Sequence, residues 1–298
     1  MVVKIARILC PIDLSEFSRQ ALDYTVTLGR WYDAAVTILH VAGEENAALA
    51  GSLVPARSPA LVSDEVHAFC APWTSRSANV EIVLSRGNPV KEIVSLADSL
   101  QVDLLVMGSH GRSGFERLWL GSVTEKVLRK VSCPVLTVPP HARPPATEIV
   151  FKTIVCPVDF SDASLRALEY ALSLAEESLA RLILLHVVEA LAETGFKDGS
   201  AAFAVPEYHR LVTADASARL AALVPETVRA WCQVEEHIVT GKPHREILRF
   251  ATESGAELIA MGVHGRGAID LTLFGSTTHQ VVRAAKCPVL TLRTPVLG

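Results

Sequence analysis

The chain has 298 residues, 50% of them apolar and 20% charged, so it can bury substantial cores and divide into two domains of ordinary size. Its 28 Lys and Arg against 32 Asp and Glu leave a net charge of −4, which announces no basic face and argues against nucleic acid as the main partner. The charged start, residues 1–7, is not expected to act as a signal peptide, and the longest apolar run, 182–191, is broken by His186 and Glu189 before it could cross a bilayer. No membrane partner is therefore expected, and the expected location is the cytoplasm.

In chain order the first half alternates β-α-β-α-β-α-β-α-β. Residues 5–10 read as a buried strand, and Ser15 caps a helix running to about 31, with Phe17, Ala21, Tyr24, Thr25 and Leu28 at helical spacing. A second strand spans 35–41. A loop rich in small residues and a weaker helix over 61–75 follow, then a third strand over 80–84. Pro89 opens a helix with Val90, Ile93, Val94 and Ala97 on one face. Strand four covers 104–107, helix four 122–130 and the last strand 134–138. Short apolar strands alternating with helices predict a parallel sheet covered on both faces, doubly wound, with ligands beyond the carboxyl ends of the strands where the winding reverses.

The same pattern then returns. Cys10-Pro-Ile-Asp13-Leu-Ser15 reappears as Cys156-Pro-Val-Asp159-Phe-Ser161, and Leu39-His40-Val41 as Leu185-His186-Val187, both at an offset of 146. Gly87, Gly108, Gly121 and Cys133 reappear as Gly241, Gly262, Gly275 and Cys287 at an offset of 154. The second copy thus carries eight extra residues, expected in a loop around 193–205 at the mouth of its site, where they would act as a lid or be plain surface. A proline-rich segment over 139–149 links the copies, which gives domains at 1–140 and 150–298. The six cysteines show no Cys-x2-Cys pair or zinc-type spacing and read as small buried residues; no metal site is expected.

The informative stretch is Val106-Met-Gly108-Ser109-His110-Gly111-Arg112, followed by Gly121-Ser122. Its counterpart is Met261-Gly262-Val263-His264-Gly265-Arg266 with Gly275-Ser276. A buried strand ending on glycines and feeding a helix N-terminus can cradle a phosphate, because free helix N–H groups and the dipole favour an anion. No Gly-Lys-Ser/Thr follows, so this is no P-loop, and the dinucleotide fingerprint would place its glycines after the first strand. Glycine alone would signal only a tight turn. The serine at the helix start and the aspartate after strand one, present in both copies, favour a nucleotide. Ser15 and Ser161 read as helix caps. His110 and His264 read as loop structure or phosphate contacts, and Arg112 and Arg266 as neutralising phosphate charge or as solvated surface.

Together the Pro-x-Asp-x-Ser start, the His-Val corner, the Gly-x2-Gly-x9-Gly-Ser motif and the Cys-Pro-Val-Leu-Thr ending resemble the universal stress proteins, in their tandem form. The resemblance covers nearly the whole chain. It implies two five-stranded parallel sheets of order 3-2-1-4-5, the adenine nucleotide alpha hydrolase-like fold. It implies that Asp13 and Asp159 hold adenosine and that Val41 and Val187 read adenine through their backbone. Gly108, Gly111, Gly121 and Ser122, with Gly262, Gly265, Gly275 and Ser276, would hold ribose and phosphates. The ligand implied is ATP, or ADP or AMP, with or without Mg2+. Single-domain relatives dimerise through the closing strand, so the two halves are expected to pair within the chain, through 134–138 and 288–292; pairing of two chains is left open.

No doubled base, nucleophile or metal cluster stands beside the phosphates, so a binding and regulatory module with an unnamed protein partner outranks an enzyme. The alternatives are a slow ATPase or nucleotide-dependent transferase on the same fold, and a chaperone-like structural stress protein. Gly108→Ala and Gly262→Ala are expected to place a methyl group where backbone must meet phosphate.

Overall fold

The structure, a computed structural model, describes residues 3–43, 59–76, 79–110, 120–140, 142–143, 151–189, 204–264 and 274–293. The first half runs β1 (Arg7–Ile12), α1 (Glu16–Tyr32), β2 (Ala35–Ala42), α2 (Pro59–Thr74), β3 (Val80–Arg86), α3 (Pro89–Ser99), β4 (Leu104–Gly108), α4 (Ser122–Leu128) and β5 (Val135–Val138). The second runs β6 (Thr153–Pro157), α5 (Asp162–Ser178), β7 (Arg181–Val188), α6 (Ala204–Leu223), α7 (Glu226–Arg229), β8 (Val234–Thr240), α8 (Pro243–Glu253), β9 (Leu258–Gly262), α9 (Ser276–Ala284) and β10 (Val289–Leu292). Among the described residues no helix is long and apolar enough to cross a membrane.

Each half is a parallel sheet of order 3-2-1-4-5, and the two are joined into one sheet ordered β3-β2-β1-β4-β5-β10-β9-β6-β7-β8. The join is antiparallel, with Val289 opposite Thr137, Leu290 opposite Leu136 and Thr291 opposite Val135. Alternation along the strands fills a core on each face. Ile8, Cys10 and Ile12 face the side covered by α1, α2, α5 and α6; Leu9 faces the side of α3, α4, α8 and α9. Burial pushes the Cys10 and Cys156 thiols up to about 12, as it does those of Cys133 and Cys287, so these cysteines serve as packing groups.

The first strand differs from its expected span. The Asp103 carboxylate accepts from the amides of Ala6 and Arg7, each at 2.8 Å, which fixes the start of β1 at Arg7. Glu257 does the same for Lys152 in the second half. Ile5, expected in the strand, belongs instead to an arm that crosses to the other half, where the Val3 amide donates to Ser173 Oγ at 2.7 Å. The linker returns the exchange: Gln20 donates to the Pro140 carbonyl, Tyr24 to that of Arg143, and Tyr24 stacks near Phe151. Repeat-equivalent residues of the two halves come together at one place: Leu28 and Leu174, Leu104 and Leu258, Leu136 and Leu290. They surround an apolar cavity of about 20 Å³, which places an approximate two-fold axis there.

The extra length of the second half is also distributed differently from its expected place. From α2 to β3 the chain passes only from Thr74 to Val80, whereas α7 stands between α6 and β8, so part of the insertion follows α6. Of the expected loop, residues 193–203 lie outside the described residues, and Ala204 already begins α6.

α1 and α5 end alike and on unlike residues. Both close through a left-handed residue, Asp33 at φ 50° and Leu179 at φ 51°. That conformation suits Gly or Asn and costs a branched side chain about 1–2 kcal/mol. Leu179 is 81% exposed, so it gains little from burial in return. Leu179→Asn is expected to stabilise the protein by about 1 kcal/mol, seen as a higher midpoint in urea unfolding; an unchanged or lower midpoint would contradict this.

Candidate functional site

Each half brings three segments to the carboxyl ends of its strands: the loop after β1 or β6, the corner at the end of β2 or β7, and the turn from β4 into α4 or β9 into α9. β1 lies between β2 and β4, and β6 between β7 and β9, so these are the points where the winding reverses.

The aspartate loop is built by hydrogen bonds of its own. Asp13 Oδ1 accepts from the Ser15 amide at 3.1 Å, the Ser15 hydroxyl at 2.5 Å and the Ser18 hydroxyl at 2.6 Å. Ser15 Oγ in turn accepts from the Ser18 amide and caps α1. Asp159 repeats the pattern with the Ser161 amide at 3.0 Å and hydroxyl at 2.6 Å, and Ser161 caps α5. Leu14 and Phe160, next in sequence, take φ 62° and 63°, which turns the chain sharply from strand to helix. One oxygen of each aspartate therefore shapes the loop that presents it. Ser15 and Ser161 are caps, and Ser18 is a third member of the loop that sequence reading overlooked.

Val41 and Val187 stand half-buried on the neighbouring strands, opposite Ser85 and Val239. Beyond Val41, the Gly87 amide donates to the Ala42 carbonyl at 3.1 Å and closes that corner.

The glycine turn has a closed neck. The Ser109 amide donates to Val138 at 2.9 Å, and the Ser109 carbonyl accepts from the Gly121 amide at 2.8 Å. In the second half the Val263 amide donates to Leu292 and its carbonyl accepts from Gly275 at 3.0 Å. The neck sets Gly108 beside Gly121, and Gly262 beside Gly275, with Ser122 and Ser276 exposed at the first helical turn. Thr124 Oγ1 donates to the Gly108 carbonyl at 2.9 Å and Thr278 Oγ1 to that of Gly262 at 3.0 Å. These threonines were missed as site-building residues, although Gly-Ser-x-Thr recurs in both copies. Gly121 and Gly275 cap α4 and α9 without a side-chain hydrogen bond, whereas α1, α3 and α5 carry one. Gly111, Arg112, Gly265 and Arg266 lie outside the described residues.

The glycines have a reason inside the chain. A Cβ on Gly262 would stand 2.7 Å from the Ala163 carbonyl carbon and 2.8 Å from the Ser164 amide nitrogen, at the start of α5. One on Gly108 would meet the carbonyls of His110 at 3.1 Å and Phe17 at 3.3 Å. The expected methyl thus faces the chain's own backbone, and the cost of Gly→Ala is steric before any phosphate is considered.

The halves differ around the histidines. Ser109 Oγ lies 2.8 Å from His110 Nδ1, and Phe17 packs against that ring at 5.9 Å. Val263 replaces the serine in the second half, where the Ser161 hydroxyl lies 3.3 Å from the His264 carbonyl and ties the aspartate loop to the glycine turn.

The universal stress protein family model matches residues 4–139 and again 151–293. A universal stress protein of Methanocaldococcus jannaschii is 30% identical over 149 residues, covering 50% of this chain and 85% of its own. One from Synechocystis is 24% identical over 311 residues, covering 96% of this chain and 99% of its own. The crystal structure of a universal stress protein from Archaeoglobus fulgidus superposes with a TM-score of 0.64 at 23% identity, covering 98% and 97% of the two chains. It has the same fold.

Gly262→Ala crowds backbone at 2.7 Å and is expected to cost about 2–3 kcal/mol, while Gly108→Ala, whose contacts begin at 3.1 Å, costs about 1 kcal/mol. Urea unfolding of the two variants measures both, and equal losses would contradict the account.

Proposed function

The chain belongs to the universal stress protein family, in tandem form, and from that premise we propose that each half holds one adenine nucleotide, ATP or its ADP and AMP forms. The protein then acts as a nucleotide-dependent regulatory module with little or no turnover. The observation that carries this reading is the closed neck in both halves. The Gly121–Ser109 and Gly275–Val263 hydrogen bonds set a helix start without side-chain cap against a strand end beside the aspartate loop. The capping glycines Gly121 and Gly275 offer the first-turn amides no side-chain oxygen of their own, which suits phosphate oxygens. Ser122 and Ser276 are exposed at the same turns and would add hydroxyl donors. Asp13 and Asp159 would meet the adenosine, with the backbone of Val41 and Val187 at its base. Gly111, Arg112, Gly265 and Arg266 complete the proposed set.

Holding is favoured over turnover by how the carboxylates are used. The Oδ1 of each aspartate already accepts from two or three groups of its own loop, so it serves as a fixed strut more than as a base for an attacking water.

Calorimetric titration of the full chain with ATP, ADP and AMP, with and without Mg2+, is expected to give two nucleotides per chain. Asp13→Ala or Asp159→Ala is expected to leave one, with the other half as control in the same molecule. No binding of any of the three up to about millimolar concentration would contradict the reading. Sustained phosphate release from ATP would make the protein an ATPase instead.

A further inference from the structure

Beyond the last rung joining β1 to β2, the chain leaves the sheet for the aspartate loop, and the final strand carbonyl needs a partner that the ladder cannot supply. A buried carbonyl left unpaired is costly. In each half a histidine supplies the partner. His40 Nδ1 lies 3.1 Å from the Ile12 carbonyl oxygen, and His186 Nδ1 lies 2.6 Å from that of Val158. Both rings are buried, at 9% and 8% exposure, and the register sets His40 directly beside Ile12. A carbonyl oxygen only accepts, so Nδ1 must carry the proton. Ile12 and Val158 are the residues immediately before Asp13 and Asp159.

We infer that His40 and His186 are positioning residues of the two sites: each Nδ1–H holds the peptide carbonyl preceding the site aspartate and so fixes where the aspartate loop leaves the sheet. What that loop holds rests on the proposed function above; the clamp itself does not. In the second half the grip is two-sided, because the Val158 amide donates to the Leu185 carbonyl at 2.9 Å while its carbonyl accepts from His186. The surroundings of the two rings differ. Phe160 packs against His186 at 4.8 Å, where the first half has Leu14. The hydrogen bond is common to both halves while the packing is not, which assigns the histidine's role to its donor and not to its shape.

Asparagine carries its amide nitrogen at the same number of bonds from Cβ as Nδ1, and glutamine at that of Nε2, so the two amides separate the donor from the ring's bulk. In the full chain titrated with ATP, His186→Leu and His186→Gln are expected to weaken the second-half site about tenfold, the first-half site staying as it was. His186→Asn restores most of that loss. Loss in the Asn variant equal to that in the Leu variant, or full affinity in the Leu variant, would overturn the inference. Long-range 1H–15N spectra of the unliganded chain test the clamp without nucleotide. Both neutral rings are expected to be protonated at Nδ1, and the amide signals of Asp159 and Ser161 are expected to move in the Leu and Gln variants and stay in the Asn variant. An Nε2–H tautomer, or loop signals that Leu leaves in place, would overturn it. If the unaltered chain binds no ATP, the nucleotide reading falls and these spectra alone decide the clamp.

Discussion

β5 and β10 would each be a bare sheet edge if the halves stood apart, rich in Val, Leu and Thr and open to any strand that reached it. Paired antiparallel, they cover each other, and their threonines reach across the seam: Thr137 Oγ1 donates to the Val289 carbonyl at 3.1 Å and Thr291 Oγ1 to that of Val135 at 3.3 Å. The outer edges left to the joined sheet are β3 and β8. These carry Glu81 and Arg86 on one side and Glu235 and Glu236 on the other, charges that discourage further pairing. The pairing also sets where function can lie. Because the halves run antiparallel, the carboxyl ends of their strands point to opposite ends of the sheet. Among the described residues, each candidate site is therefore built from its own half.

Within a half, the site depends on how closely a strand end approaches a helix start. Gly262 lets β9 pass so close to the start of α5 that a Cβ there would stand 2.7 Å from the Ala163 carbonyl carbon. That approach puts the glycine turn against the aspartate loop, and the neck hydrogen bond then holds the next helix at the same place. The crossing arms do comparable work on a larger scale. Val3 is tied to α5, and Phe151, just before β6, stacks on Tyr24 of α1, so each half covers part of the other.

Much of this was legible in the sequence, because its signals are local and doubled. The alternating apolar runs and helical spacings place every strand and helix of the first half to within a few residues. The recurrence of Pro-x-Asp-x-Ser and of the spaced glycines marks the two strand-end turns, and Ser15 and Ser161 prove to be the caps their position suggests. What was not legible depends on partners distant in the chain. Nothing in Ile5 shows that it belongs to a crossing arm, since a buried arm and a buried strand share the same apolar signature. Asp103 gives no local sign that it will cap β1, nor His40 that its ring will complete the ladder. A glycine in a sequence shows that space is short but not what occupies it, so Gly108 and Gly262 give no sign of the chain's own backbone that their missing Cβ would meet. The insertion is divided for a similar reason: offsets locate its ends, and only the fold shows that α7 takes part of it.

The central claim is that the two halves are both equipped to hold an adenine nucleotide. Native mass spectrometry of the full chain, purified under mild conditions without added nucleotide, tests it most directly. The account predicts species heavier than the bare chain by one and by two adenine nucleotides, and release of ATP, ADP or AMP on denaturation. A chain that carries none, and gains none when incubated with millimolar ATP, would contradict it.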